Sequence, residues 1–353
     1  MKALVPSGGL GSRLRPITHT QAKQLIPLAN KPILFYALEA IRDAGIRRVG
    51  IVVGSTADEV EAAVGDGADF GLEVTYIPQA EPRGLAHCVL VARDFIGDEP
   101  FVMYLGDNVL LQGLRGFVER FERHRPNAQI FLARVPEPER FGVAVLEGDR
   151  VVRLVEKPSE HISDLALVGV YLFDGAIVEA AAAIRPSWRD ELEITDAIQH
   201  LIDSGRTVRA EMVGGWWKDT GKPEDLLEAN RMLLSRLAAR RDGEVDEASR
   251  LIGTVVVEVG AKVTRSTIRG PAIIGRDTVV EGSAVGPFTS IASGCRLIDS
   301  EIENSIVMEQ CVIEGVSGVA DSLLGRAVSV RRGLAEPARY RVIAGDQSQM
   351  EVP

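Results

Sequence analysis

From Val257 onward an aliphatic side chain returns every five or six residues: Val257, Val263, Ile268, Ile274, Val280, Val285, Ile291, Leu297, Ile302, Val307, Ile313 and Val319. Glycines and small polar residues fill the intervals, as in Ile274-Gly275 and Val285-Gly286. Few folds accept that spacing. A run of β-hairpins alternates with period 2 and shows turn dipeptides, and an amphipathic helix repeats near 3.6. A step near six, three steps to a coil, is the pattern of a parallel β-helix in which each aliphatic side chain fills the axis. Twelve such positions predict roughly four coils. The coil domain is expected over 251–353, after a linker at 242–250 that begins within Arg240-Arg241-Asp242-Gly243.

The first 241 residues have a different texture. Ala3-Leu4-Val5 is a short apolar strand that runs into a glycine-rich turn, and a helix is expected from Lys31 to Ala44, with Pro32 in its first turn and Gly45 as its cap. Val49–Val53, Val74–Ile77 and Phe101–Leu105 read as strands, and 58–64 and 85–93 as helices. Strands alternating with helices at this spacing imply a mostly parallel sheet covered on both faces. Strands then crowd together at 130–135, 143–146, 151–155 and 168–173, before helices at 175–184, 195–203 and 224–241. At 353 residues the chain has room for two domains, and 46% apolar with 25% charged residues is ordinary globular material.

The turn after the first strand is Gly8-Gly9-Leu10-Gly11-Ser12-Arg13-Leu14-Arg15-Pro16. Glycines there allow backbone N–H groups to approach phosphates closely. A dinucleotide fingerprint requires a third glycine where Leu14 stands, and Pro16 stops any helix; G-x-x-x-x-G-K-[ST] is also absent. What remains is a glycine loop with Arg13 and Arg15, followed by Lys23. Such cations suit a triphosphate, because phosphoryl and nucleotidyl transfer depend chiefly on positioning and charge neutralisation.

Gly8-Gly9-x-Gly11-x-Arg13-Leu14-x-Pro16, with Lys23 and Pro27, resembles the signature of sugar nucleotidyltransferases. Leu105-Gly106-Asp107-Asn108, Glu156-Lys157-Pro158, Arg189 with Glu191-Leu192-Glu193-Ile194-Thr195-Asp196, and Trp217-Lys218-Asp219-Thr220-Gly221 follow in the family's order. Two of only seven lysines, Lys23 and Lys157, fall on the family's phosphate-binding positions. Pro78-Gln79-Ala80-Glu81-Pro82-Arg83-Gly84-Leu85-Ala86-His87 is similar to the base-reading loop of glucose-1-phosphate thymidylyltransferases, above all the long forms of deoxysugar and antibiotic pathways. Pro6-Ser7 and Phe141 depart from the usual Leu-Ala and Tyr.

The resemblance implies an α/β, Rossmann-like mixed-sheet nucleotidyltransferase domain over 1–241 and a left-handed parallel β-helix behind it. It implies dTTP and glucose 1-phosphate as substrates and Mg²⁺ as cofactor, held by Asp107 and Asp219. Arg13, Lys23, Asp107 and Lys157 become the catalytic candidates. The nucleotide falls to Gly8, Gly9, Gly11, Ser12, Arg13, Gln24, Gln79, Gly84 and Asp107. The sugar phosphate falls to Leu85, Gly142, Glu156, Lys157, Val168, Gly169, Tyr171 and Arg189.

Other classes fit less well. A net charge of −10 with no basic run argues against a nucleic-acid surface. Three cysteines without ligand spacing, Cys88, Cys295 and Cys311, suggest neither a disulfide framework nor a zinc site, so a reducing cytoplasm is expected. The start of the chain does not read as a signal peptide, and no uncharged apolar run reaches 18 residues. An acyltransferase working through the coils would call for a histidine base there, yet all five histidines precede residue 250. A regulator that binds nucleotide sugars without turnover would be expected to lack a metal carboxylate or a phosphate cation. Another nucleotide or sugar 1-phosphate remains an alternative within the family. Aliphatic faces and coil edges favour a homo-oligomer.

Overall fold

The computed structural model describes residues 1–333 and 347–351, so 334–346 and 352–353 of the expected coil domain lie outside it. The chain forms two compact units, one of Met1–Leu10, Gln21–Leu25 and Ile33–Asp219, the other of Gly11–Thr20, Ile26–Pro32 and Thr220–Pro353.

The first unit is built on a nine-stranded sheet. In spatial order its strands are Glu73–Pro78, Arg48–Val53, Lys2–Pro6, Phe101–Tyr104, Leu165–Phe173, Ala128–Arg134, Val208–Met212, Arg150–Glu156 and Gly142–Glu147. The first four are parallel, as the βαβ pattern requires: Leu4 sits beside Gly50 on one side and Met103 on the other. Leu165–Phe173 enters antiparallel to both of its neighbours. The sheet is therefore mixed, as the family resemblance implies, whereas strand–helix alternation by itself suggests a mostly parallel one. The crowded strands of the middle of the chain are those that reverse.

Side chains of Leu4, Val5, Phe101, Val102 and Phe173 are fully buried, because helices cover both faces. On one side lie Ile33–Asp43 and Arg115–His124, and on the other Leu85–Val91, Ala176–Ala183 and Ile194–Asp203. Outside the sheet, Asn108–Leu110 and Trp217–Asp219 form a two-stranded antiparallel ribbon. Sequence reading left this ribbon and Arg115–His124 unassigned.

In the second unit, strands between Arg240 and Arg331 are dealt in rotation into three parallel stacks of six, six and five members. Val257 pairs with Ile274 and Ile274 with Ile291, a 17-residue return made of steps of 6, 5 and 6. This is the connectivity of a three-faced parallel coil. All twelve periodic aliphatics line its axis, eleven of them at no more than 2% exposure and Val319 partly buried. The stacks have more layers than the four coils expected, because Val245 and Leu251 before the run and Leu324 and Val330 after it extend the axis while only partly buried.

A column of serines binds successive coils. Ser266, Ser283 and Ser300 each donate a hydroxyl to the carbonyl two residues earlier, at 2.7 Å. Each also accepts the backbone N–H of the residue one coil later, at 3.0–3.1 Å.

The helix expected over 224–241 spans Pro223–Leu234 and stops there. Arg240–Arg241 pairs with Val256–Val257 as the outermost strand of one stack, so ladder bonds replace helical ones. Within the same unit the fully buried Asn230 of that helix accepts the Ala29 N–H at 2.8 Å and donates to the Phe288 carbonyl. Among the described residues no helix is long and apolar enough to cross a membrane.

Candidate active site

The carboxyl end of the Lys2–Pro6 strand opens into Gly8 and Gly9, where ligands of open α/β sheets sit. A Cβ on Gly8 would lie 3.3 Å from the Gly54 nitrogen and 3.4 Å from Gln79 Oε1, so the loop passes close over the neighbouring strand end. Gln79 is buried at 7% exposure, and its amide nitrogen contacts His87 Nδ1 at 3.0 Å. Burial and the nearby Arg83 lower the His87 pKa, and because the Gln79 amide nitrogen can only donate, the contact is made by the tautomer whose Nδ1 accepts. Gln24 is also buried, and among the described residues its Oε1 has no hydrogen-bond partner. Two side-chain amides beside a glycine loop offer both a donor and an acceptor to a planar base edge.

Gly84 carries a φ of +97°, and a Cβ there would fall 2.4 Å from the Leu192 carbonyl oxygen. Only glycine fits. Ala86 N–H donates to Leu192 O and Leu192 N–H to Arg83 O, which ties the 78–87 loop to the Glu191–Asp196 segment and sets Leu85 at the start of its helix.

Next along the sheet, Phe101–Tyr104 ends in the turn that carries Asp107. Lys23 Nζ lies 2.5 Å from Asp107 Oδ2, the two side chains being 11% and 23% exposed. Burial alone would raise the Asp107 pKa, but the Lys23 ammonium overrides it and holds the carboxyl below its ordinary value. Asn108 donates to Asp107 Oδ1 at 2.9 Å and accepts the Trp217 indole N–H at 2.6 Å. The ribbon register sets Asp219 directly opposite Asn108, which brings the two candidate metal carboxylates to one end of the ribbon. Among the described residues no three His, Cys, Asp or Glu side chains cluster as a self-sufficient metal site. Two carboxylates, one held ionised, fit a hard cation that completes its shell with water and phosphate oxygens.

The sugar-phosphate candidates gather at the end of Arg150–Glu156. Glu156 Oε1 lies 3.5 Å from Lys157 Nζ and 3.6 Å from an Arg189 guanidinium nitrogen. Arg189 also meets Glu191 at 2.7 Å and Glu193 at 3.2 Å, so three carboxylates surround the proposed phosphate ligand. Burial raises the pKa values of Glu156 and Glu191. Thr195 donates to Glu156 at 3.3 Å, and a Cβ on Gly142 would collide with both residues, at 2.5 and 2.9 Å.

Val168, Gly169 and Tyr171 lie on the central strand Leu165–Phe173. Val168 and Tyr171 are core residues at 0% and 4% exposure. Burial keeps the Tyr171 phenol protonated, and the charges of Glu156 and Asp219 act on it in the same direction.

Within the first unit the structure therefore brings together Gly8, Gln79 and Gly84, then Lys23, Asp107 and Asp219, then Gly142, Glu156, Lys157 and Arg189. Gly11, Ser12 and Arg13 belong to the other unit, where Gly11 has a φ of 60° and caps the short turn Ser12–Leu14. Sequence reading assigned no role to Asn108, Trp217, Glu193, Thr195 or His87. All five stand inside quoted motifs, but only side-chain geometry distinguishes them from their neighbours.

Residues 2–236 match the family model described as nucleotidyl transferase. A glucose-1-phosphate thymidylyltransferase from Streptomyces griseus is 57% identical over 353 residues, covering 100% of this chain and 99% of the relative. One from Streptomyces antibioticus is 54% identical over 354 residues, with the same two shares. A Bacillus anthracis crystal structure with sucrose bound, assigned as a glucose-1-phosphate thymidylyltransferase, superposes with a TM-score of 0.63 at 33% identity. It covers 68% of this chain and 98% of its own.

Proposed function

We propose, because this chain belongs to the nucleotidyl transferase family, that it is a glucose-1-phosphate thymidylyltransferase making dTDP-glucose and pyrophosphate from dTTP and glucose 1-phosphate. The observation that carries this reading is the Lys23–Asp107 pair at the end of a ribbon whose register sets Asp219 across from Asn108. It lies on the same unit as the Gln79 loop and the Glu156, Lys157 and Arg189 cluster.

In the proposed reaction a phosphate oxygen of glucose 1-phosphate attacks the α-phosphorus of dTTP. The new P–O bond forms as the bond to the β-phosphate oxygen breaks, and pyrophosphate departs with that electron pair. Lys23 places positive charge at the α-phosphate. Arg13, assigned on the motif alone, neutralises the leaving pyrophosphate. Gly8 and Gly9 cradle phosphates, Gly11 and Ser12 are assigned to phosphates on the motif alone, and Gln24, Gln79 and Gly84 take the base and its sugar. Lys157 and Arg189 hold the glucose phosphate in line, and the carboxylates around Arg189 accept glucose hydroxyls. Leu85, Gly142, Val168, Gly169 and Tyr171 shape the sugar side. Asp107 and Asp219 are the residues that would hold Mg²⁺, which when bound supplies charge neutralisation at the phosphates.

The same reading keeps a catalytic part over 1–241 and a left-handed β-helix over 251–353, but the linker expected over 242–250 holds Glu244–Val245, which pairs with Lys262–Val263 as the first strand of a second stack. It places a homo-oligomer in the cytoplasm, consistent with three buried thiols that form no disulfide. The test is pyrophosphate release from a matrix of nucleoside triphosphates against sugar 1-phosphates, with Mg²⁺ or with chelator. dTTP with glucose 1-phosphate and Mg²⁺ is expected to give the highest kcat/KM. A higher value for another pair, or turnover that survives chelation, would overturn the substrate or the metal assignment respectively.

A further inference from the structure

Asn108 is buried to 1% exposure, and its amide has a polarity that the surroundings dictate. An indole N–H can only donate, and an ionised carboxylate can only accept. With Trp217 Nε1 2.6 Å from Asn108 Oδ1, the Asn108 NH₂ must face Asp107, where it donates to Oδ1 at 2.9 Å. Turning the amide over would set NH₂ against N–H and oxygen against carboxylate.

The amide also lies flat on the backbone of Gly169. A Cβ there would come within 2.6 Å of Asn108 Cγ and Oδ1, so the side chain has no room to rotate on that face. The Gly169 carbonyl in turn accepts the Leu105 N–H at 2.8 Å, which fixes the turn to the central strand. Trp217 is steadied by an edge contact with Phe141 at 5.5 Å between ring centroids. One Asp107 oxygen is thus held by Lys23, and the other by a two-bond chain that ends on a tryptophan 109 positions after Asn108.

We propose that Trp217 is a positioning residue for Asp107, acting through Asn108, whose amide its indole N–H locks into the orientation that holds the carboxylate. Hydrogen bonds of this outer kind set ligand orientation and metal affinity as the ligands themselves do. The inference rests on the reading that Asp107 holds a divalent ion.

The test uses the full chain. Trp217→Phe keeps the ring and removes the N–H; Asn108→Asp keeps the shape and replaces the donor facing Asp107 by an acceptor. Mn²⁺ binding in the presence of dTTP, followed by electron paramagnetic resonance, is expected to weaken on the order of 10- to 100-fold in each. kcat should fall and the KM for glucose 1-phosphate should hold within about twofold. Thermal midpoints identify a variant that fails to fold, and the other variant then carries the test. Unchanged Mn²⁺ affinity in a folded variant, or a rise in sugar KM alone, overturns the proposal. A wild-type protein that binds no Mn²⁺ with dTTP, or turns over without a divalent ion, overturns the underlying reading instead.

Discussion

In the coil unit the interior is aliphatic at every rung, and the column Ser266, Ser283 and Ser300 repeats the same two bonds. The sheet unit instead buries Gln24, Gln79, Asn108 and Glu193 at positions that follow no period. The difference follows from what each interior must hold. A coil stacks identical contacts on identical contacts, so any one rung is a fair sample of the rest. The sheet unit must present charged groups to small anions, and each such group requires its own partners: Lys23 for Asp107, Arg189 for Glu156 and Glu193, Trp217 for Asn108. Damage to the coil should therefore appear as lost stability, and damage to the sheet unit as lost chemistry.

The largest expected effect breaks the sheet side. Asp107→Asn leaves Lys23 facing a neutral amide, and kcat/KM for pyrophosphate release should fall on the order of 100-fold or more. Near-normal Mg²⁺-dependent turnover would remove Asp107 from the mechanism. On the coil side, Ile274→Ala opens the axis at a fully buried position. It should cost about 2–5 kcal/mol in the denaturant transition of the coil unit while turnover of the folded protein is preserved. A fall in kcat without a shift in that transition would show that the coil interior serves catalysis.

A smaller effect is expected from Ser283→Ala, which leaves the Ser300 N–H without its acceptor. The loss should be about 1–3 kcal/mol, read from the same transition, and the neighbouring rungs Ser266 and Ser300 should give similar values if the column is truly repetitive.

The smallest effect is a slope in pH. Burial raises the Glu156 pKa, so between its ordinary value and the folded one the folded protein binds more protons than the unfolded chain. Stability from this group is complete below the ordinary carboxylate range and is lost as pH rises through the folded value. Glu156→Gln should flatten that part of the profile of thermal midpoint against pH, and an unaltered slope would show that Glu156 does not titrate there.

How much of this could be read beforehand varied with the length scale of the interaction. The axis residues Val257 to Ile313 announce themselves because one period serves every rung. The glycine loop, Lys23, Asp107, Glu156 and Arg189 stand in short motifs whose chemistry is local. The end of the helix at Leu234 was not legible, since helical propensity continues through 235–241 and only pairing of Arg240–Arg241 with Val256–Val257 converts that stretch to a strand. The mixed sheet followed only from the family resemblance and not from strand–helix alternation, because strand direction is set by which neighbour a strand meets.

The sequence by itself determined the coil, the order of the candidate phosphate-binding motifs and the identity of the charged residues, because each depends on spacing along the chain. Tertiary structure alone decided that Asp219 stands across from Asn108, that Arg189 lies among three carboxylates, and that Trp217 reaches Asn108 from 109 positions away. Those pairings depend on ribbon register and on the close approach that Gly169 permits, and neither leaves a periodic or local trace in the chain.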